Sequence, residues 1–136
     1  MQSITIETLV AAPTEKAWDY YTLPEHITQW NFADSAWHCP TAENDLRVGG
    51  KYKARMEAKD GSFGFDFEAT YTDVETHKKI GYVLEDGRKV EILFQPEDES
   101  THVKVIFDTE DQNSLELQKN GWQAILDNYA RYTESN

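Results

Sequence analysis

The stretch that decides the fold is SLELQKNGWQAILDNYARYT, Ser114–Thr133. Stepped at about 100° per residue, Leu115, Trp122, Ile125, Leu126, Tyr129 and Tyr132 gather on one side, with Glu116, Gln123, Asp127 and Arg131 opposite. A long helix with a single apolar stripe has to bury that stripe against a large partner surface. The chain offers one such surface. Tyr52, Ala54 and Met56, then Phe63, Phe65, Phe67, Ala69 and Tyr71, then Ile80, Tyr82 and Leu84 alternate with polar neighbours. That period of two marks strands with one buried face, so the C-terminal helix is expected to pack across a sheet. Gly121 costs ~1 kcal/mol relative to Ala within a helix, and is read as marking the close approach of another backbone or a slight bend.

Outward from the helix, the predicted strands are Lys51–Glu57, Phe63–Val74, Ile80–Glu85, Lys89–Gln95 and Thr101–Phe107. Asp60-Gly61 and Asp86-Gly87 supply hairpin turns, because Asp and Gly tolerate the positive φ that such turns demand. Ser3–Val10 alternates as well and adds a strand, which gives an antiparallel sheet of about six. After Ala12-Pro13, Thr14, Ala17, Trp18 and Tyr21 fall at helical spacing. Thr22 and Glu25 read as a capping box for a second short helix carrying Leu23, Ile27 and Trp30. From Asn31 to Arg47 periodicity is lost, and this segment is expected to be an ordered loop over the mouth of the fold. The fold class is therefore α+β.

At 136 residues the chain is read as one domain, 1–136. Its 13 Lys and Arg against 25 Asp and Glu give a formal charge of −12, a field that repels phosphate backbones and anionic lipid. Nucleic-acid binding is thereby excluded from the expectations. No apolar run approaches the ~20 residues of a membrane span, so no membrane insertion is expected. MQSITIETLV has no basic segment followed by a long apolar one, and an unprocessed N-terminus is expected. Cys39, the one cysteine, cannot form an internal disulfide and fits a reducing, cytoplasmic setting.

Four stretches carry a resemblance: Ala12-Pro13-Thr14-Glu15-Lys16-Ala17-Trp18, Pro24-Glu25-His26-Ile27-Thr28-Gln29-Trp30, Asp45-Leu46-Arg47-Val48-Gly49-Gly50 and Gly121-Trp122-Gln123-Ala124-Ile125-Leu126. With the element order, they make the chain similar to the helix-grip fold of the START and birch-pollen-allergen superfamily, also called SRPBCC. Within it the chain resembles the subfamily named after the activator of the 90-kDa heat-shock protein's ATPase. The resemblance implies a curved sheet gripping the long helix, and a cavity between them that in relatives holds lipids, sterols, polyketides or plant hormones. It also implies, by name alone, a possible heat-shock chaperone as partner. The eukaryotic activator uses an additional N-terminal domain, for which this chain is expected to have no room.

His26, His38, His77 and His102 are scattered singly, with no H-E-x-x-H or H-x-H, so neither a metal nor another cofactor is expected. Gly49-Gly50 before Lys51 leads into a strand rather than a helix, which favours a bend over a phosphate loop. Asp66 and Glu68 share the strand face opposite Phe65 and Phe67, so they are read as solvated rather than as an acid/base pair, and no catalytic residue is assigned. The aromatics carry the functional expectation. Trp30, Trp37, Tyr52, Phe65, Phe67, Tyr82, Phe94, Trp122 and Tyr129, with Met56 and Leu126, are expected to line a ligand cavity. Any one of them alone is ordinary core. Together they exceed what one helix in a curved sheet can fill, and tyrosine hydroxyls need partners that a dry core lacks.

Binding of a small hydrophobic or amphipathic molecule is thus the leading expectation. A cavity enzyme, cyclase-like or hydrolase-like, is one alternative, weakened by the want of an evident acid and base. A co-chaperone-like partner acting through surface contact is the other, and it would need an exposed apolar patch.

Overall fold

A computed structural model describes residues 2–136, so Met1, which the single-domain reading includes, lies outside the described residues. In chain order the elements are β1 (Ser3–Val10), α1 (Thr14–Thr22), α2 (Pro24–Trp30), β2 (Trp37–Asn44), β3 (Lys51–Ala58), β4 (Gly64–Glu75), β5 (Lys79–Leu84), β6 (Lys89–Glu97), β7 (Ser100–Asp108) and α3 (Leu115–Ser135). The strands form one antiparallel sheet in the order β1-β7-β6-β5-β4-β3-β2. Consecutive strands pair throughout, except that β1 closes on β7 with Ser3 opposite Asp108 and Val10 opposite Thr101. This is the α+β helix-grip architecture: a curled sheet around a C-terminal helix, with two short helices after the first strand.

The sheet has one strand more than the expected six. Trp37–Asn44, anticipated as loop, pairs with β3 from Trp37 opposite Ala58 to Asn44 opposite Tyr52. The register shifts between His38 and Thr41. Pro40 falls in that shift, and a proline is tolerated at an edge strand or a bulge because the ladder there does not require its missing N–H. The same bulge breaks the alternation that would have marked a strand.

Three local expectations are also corrected. The Thr22 hydroxyl does not cap α2; it donates to the Trp18 carbonyl at 2.9 Å, back into α1, and Pro24 sits at the start of α2 instead. Leu115 does not join the buried stripe and is 46 % exposed. Its place at the helix start is taken by buried Gln118, whose side chain bonds the Glu110 N–H and the Glu110 and Asn113 carbonyls. Gly121 meets no close backbone, since a Cβ there would find nothing within 4 Å.

Gly50 does meet a close neighbour. A Cβ on it would collide with the Asp45 carbonyl, so only glycine lets the β2–β3 connection turn back on itself. The connection is held by the Asp45 N–H on the Lys51 carbonyl at 2.9 Å and by reciprocal bonds between Gly49-Gly50 and Tyr71 on β4.

The core lies where β1, β5, β6 and β7 face α3 and the two short helices: Ile6, Val10, Ile80, Ile92, Val103, Val105, Phe107 and Tyr129 are each at most 2 % exposed. The α3 backbone approaches the sheet closely mainly along β1, and it also neighbours α1 and α2. Gln123 adds a bond to the Glu7 carbonyl at 3.1 Å. Because the helix is drawn to that edge, the concave face of β3, β4 and β5 is left without a backbone layer above it.

Candidate functional site

The uncovered concavity is a cavity of about 280 Å³. Its α3 wall is Trp122, Ile125 and Leu126, about one turn of the apolar stripe. The facing wall comes from alternate residues of the middle strands: Tyr52 and Met56 of β3, Phe65 and Phe67 of β4, and Tyr82 of β5. Ile6 and Val105 close it on the β1–β7 side, and Tyr21, Trp30 and Asn31 come in from the short helices. Arg88, in the β5–β6 turn, completes the lining. The rim is identifiable from exposure, since Phe65 is 41 % accessible whereas Trp30 and Tyr82 are buried.

The aromatic rings meet mostly edge to face, as their quadrupoles favour. Phe67 stands against Tyr52, Tyr82 and Trp122 at centroid distances of 5.9, 6.3 and 6.4 Å. Polar atoms are few and unevenly satisfied. Asn31 Nδ2 lies 3.5 Å from the Tyr52 hydroxyl and 3.5 Å from Met56 Sδ. The Trp30 indole N–H is used elsewhere, donating to the Tyr20 carbonyl at 2.9 Å. Tyr21 and Tyr82 have no hydrogen-bond partner for their hydroxyls among the described residues. No fully enclosed side-chain N or O atom among those residues lacks a partner, so both hydroxyls must border open space. Burial pushes the Tyr21, Tyr52 and Tyr82 phenols upward, and they remain protonated donors across the physiological range.

Eight of the positions anticipated for a ligand cavity are brought together here: Trp30, Tyr52, Met56, Phe65, Phe67, Tyr82, Trp122 and Leu126. Three lie elsewhere. Trp37 is out on the edge strand, 6.0 Å from Phe63 and 6.2 Å from Phe65. Phe94 is buried and packed against Trp18 at 5.2 Å and Tyr21 at 5.7 Å, outside the cavity lining. Tyr129 is fully buried, and its hydroxyl donates to the Ala17 carbonyl at 2.6 Å, which ties α3 to α1 rather than facing the cavity. Among the residues not anticipated, Ile6, Val105, Tyr21 and Ile125 stood on apolar faces. Asn31 and Arg88 lie outside regular elements, where periodicity says nothing of side-chain direction.

The remaining polar residues singled out in the sequence lie outside the cavity lining. Among the described residues no three of His, Cys, Asp and Glu gather as a metal ion would require. His38 approaches Glu57 at 3.6 Å while the adjacent Cys39 is buried. Asp66 lies on the outer face of β4, 3.5 Å from Arg55 and 3.9 Å from Lys53. Among the described residues no helix is long and apolar enough to cross a membrane.

Comparison with known proteins places this geometry in a context. Residues 11–134 match the sequence profile of the family described as "Activator of Hsp90 ATPase homolog 1-like protein". The solution structure of the AHSA1-like protein of Aeromonas hydrophila superposes with a TM-score of 0.92 at 41 % identity, over 98 % of this chain and 93 % of that one. A solution structure from Cytophaga hutchinsonii gives 0.85 at 46 % identity, over 98 % and 93 %. A crystal structure from Chromobacterium violaceum gives 0.89 at 22 % identity over 100 % of both chains, a likeness of fold. No curated protein matches the sequence significantly.

Proposed function

Because the chain belongs to the Activator of Hsp90 ATPase homolog 1-like family, whose fold grips a helix against a concave sheet, we propose that it binds a small hydrophobic or amphipathic molecule between α3 and β3–β5. The observation that carries this reading is the pair of Tyr21 and Tyr82 hydroxyls, which border an aromatic cavity of about 280 Å³ with no protein partner among the described residues. A core built only for stability leaves no such volume, because unfilled space destabilises, and it has no use for two hydroxyls turned to that space. A ligand with an apolar body and a few acceptors meets both needs. The test is native mass spectrometry of gently purified protein, followed by titration of a broad apolar library read by tryptophan fluorescence. A retained small molecule or a saturable response is expected. Protein of bare-chain mass that gives no saturable response across the library would overturn the reading.

A second reading, a co-chaperone-like partner, is favoured by one observation. Trp37, Phe63 and Phe65 form an aromatic cluster at the sheet edge, with Phe63 60 % and Phe65 41 % exposed. Exposed aromatics grouped in this way suit contact with another protein. Equimolar protein should then stimulate the ATPase of a 90-kDa heat-shock chaperone several-fold, and Phe63→Ser should abolish the effect. A flat ATPase response rejects this reading without touching the first.

A further inference from the structure

We infer that the ligand of this cavity is a carboxylate-headed amphipath whose head group is held at the rim by Arg88, an inference that rests on the cavity being a binding site. Among the described residues that line the cavity, Arg88 is the one ionised side chain, and no Asp or Glu accompanies it on the walls. That is against the trend of a chain with 25 acidic and 13 basic residues.

The geometry fixes what Arg88 can do. Its backbone N–H and its Nε both bond the Asp86 carboxylate, at 3.1 and 2.8 Å, so the turn itself sets the direction of the side chain. Asp86 engages only the Nε edge. Nη1 and Nη2 have no hydrogen-bond partner among the described residues, although the side chain is only 23 % exposed. The Nη1–Nη2 edge is thus left without a protein acceptor among those residues, and it presents parallel N–H groups that match the two oxygens of a carboxylate. The place suits the head group as well. Phe65 and Arg88 keep contact with solvent at the rim, so a carboxylate there need not be fully dehydrated, while the aromatic interior takes the apolar body.

Two probes of one skeleton separate this inference from the reading beneath it: 2-naphthylacetate and 2-(2-naphthyl)ethanol, which differ in carboxylate against hydroxymethyl. Dissociation constants are measured at pH 7.5 by chemical-shift titration of backbone amides, for the wild-type chain and for Arg88→Gln. The wild-type protein should bind the acid about fivefold tighter than the alcohol, the size expected for a partly exposed charge-assisted contact. In Arg88→Gln the preference should vanish, mainly through weaker binding of the acid. Arg88→Lys, which keeps the charge without the fork, should retain only part of it. Equal or better binding of the alcohol by the wild-type chain, or a preference that survives in Arg88→Gln, overturns the carboxylate inference and leaves the cavity reading standing. If neither probe binds, the carboxylate inference falls, and the cavity reading is decided separately by native mass spectrometry and the library titration. The wild-type comparison decides the matter even if a variant fails to fold.

Discussion

Trp122 lies flat on Phe107, ring centroids 4.2 Å apart and planes 8° from parallel. One side of the indole is thereby fixed to β7, while the ring also borders the cavity. A tryptophan packed on all sides loses ~3 to 5 kcal/mol on truncation to Ala. Trp122 has fewer contacts to lose, so Trp122→Ala is expected to cost about 1 to 3 kcal/mol and to weaken capture of apolar compounds. Urea unfolding gives the first quantity and ligand titration the second. A loss above 4 kcal/mol would mean that the concavity is filled by side chains, and the cavity reading would fail with it.

Tyr129 and Tyr82 share a residue type and differ in what their hydroxyls meet. Tyr129→Phe removes the donor from a buried bond to the Ala17 carbonyl, and should cost about 1 to 2 kcal/mol of stability. Tyr82→Phe removes a hydroxyl with no protein partner, and stability should change by no more than about 0.5 kcal/mol. Any effect of Tyr82→Phe is expected on binding of a ligand that carries an acceptor. Paired denaturation curves decide this, and equal losses in the two variants would contradict the assignment.

The contrast shows how far sequence reaches. Helical spacing correctly set Tyr129 on the inner stripe of α3, but a stripe wraps a ~100° arc, and which part of the arc faces a sheet or another helix depends on the tilt of α3 toward β1. Strand alternation was more informative, because its period of two leaves no intermediate direction. Hence Tyr52, Phe67 and Tyr82 were legible as inward. Arg88 and Asn31 were not, since in turns no periodicity constrains a side chain. β2 was hidden by its own bulge, where Cys39 and Pro40 interrupt the register.

The glycines give a prediction of opposite signs. Gly121 sits within α3 with open space where a Cβ would go, so Gly121→Ala should stabilise the protein by about 0.5 to 1 kcal/mol through helix propensity and reduced freedom of the unfolded chain. Gly50→Ala drives a methyl into the Asp45 carbonyl and should destabilise by at least 1 kcal/mol as the β2–β3 connection is pushed apart. Thermal melts of the two variants, compared with wild type, read both signs at once. A drop in melting temperature for Gly121→Ala would show that a helix kink, rather than bare space, is required there.

Alkaline stability tests the burial of the phenols. Tyr71, Tyr82 and Tyr129 are buried, and burial is the leading cause holding each phenol above its ordinary value near 10. In the unfolded chain these phenols ionise near that ordinary value, while in the folded protein they keep their protons. Between the two values the native state therefore binds more protons than the unfolded one. Stability is fully retained below about pH 10 and declines as the pH rises through the folded values, by up to ~1.4 kcal/mol per pH unit for each tyrosine. Urea unfolding repeated between pH 8 and pH 11.5, with tyrosinate followed by absorbance near 295 nm, should show a flat region, then a steep fall, and buried tyrosines that ionise only as the protein unfolds. Tyr82→Phe removes one of these protons and should make the decline shallower. Tyrosinate appearing near pH 10 for all seven tyrosines with the fold intact would show that water already reaches these hydroxyls, and the burial assigned to them would have to be given up.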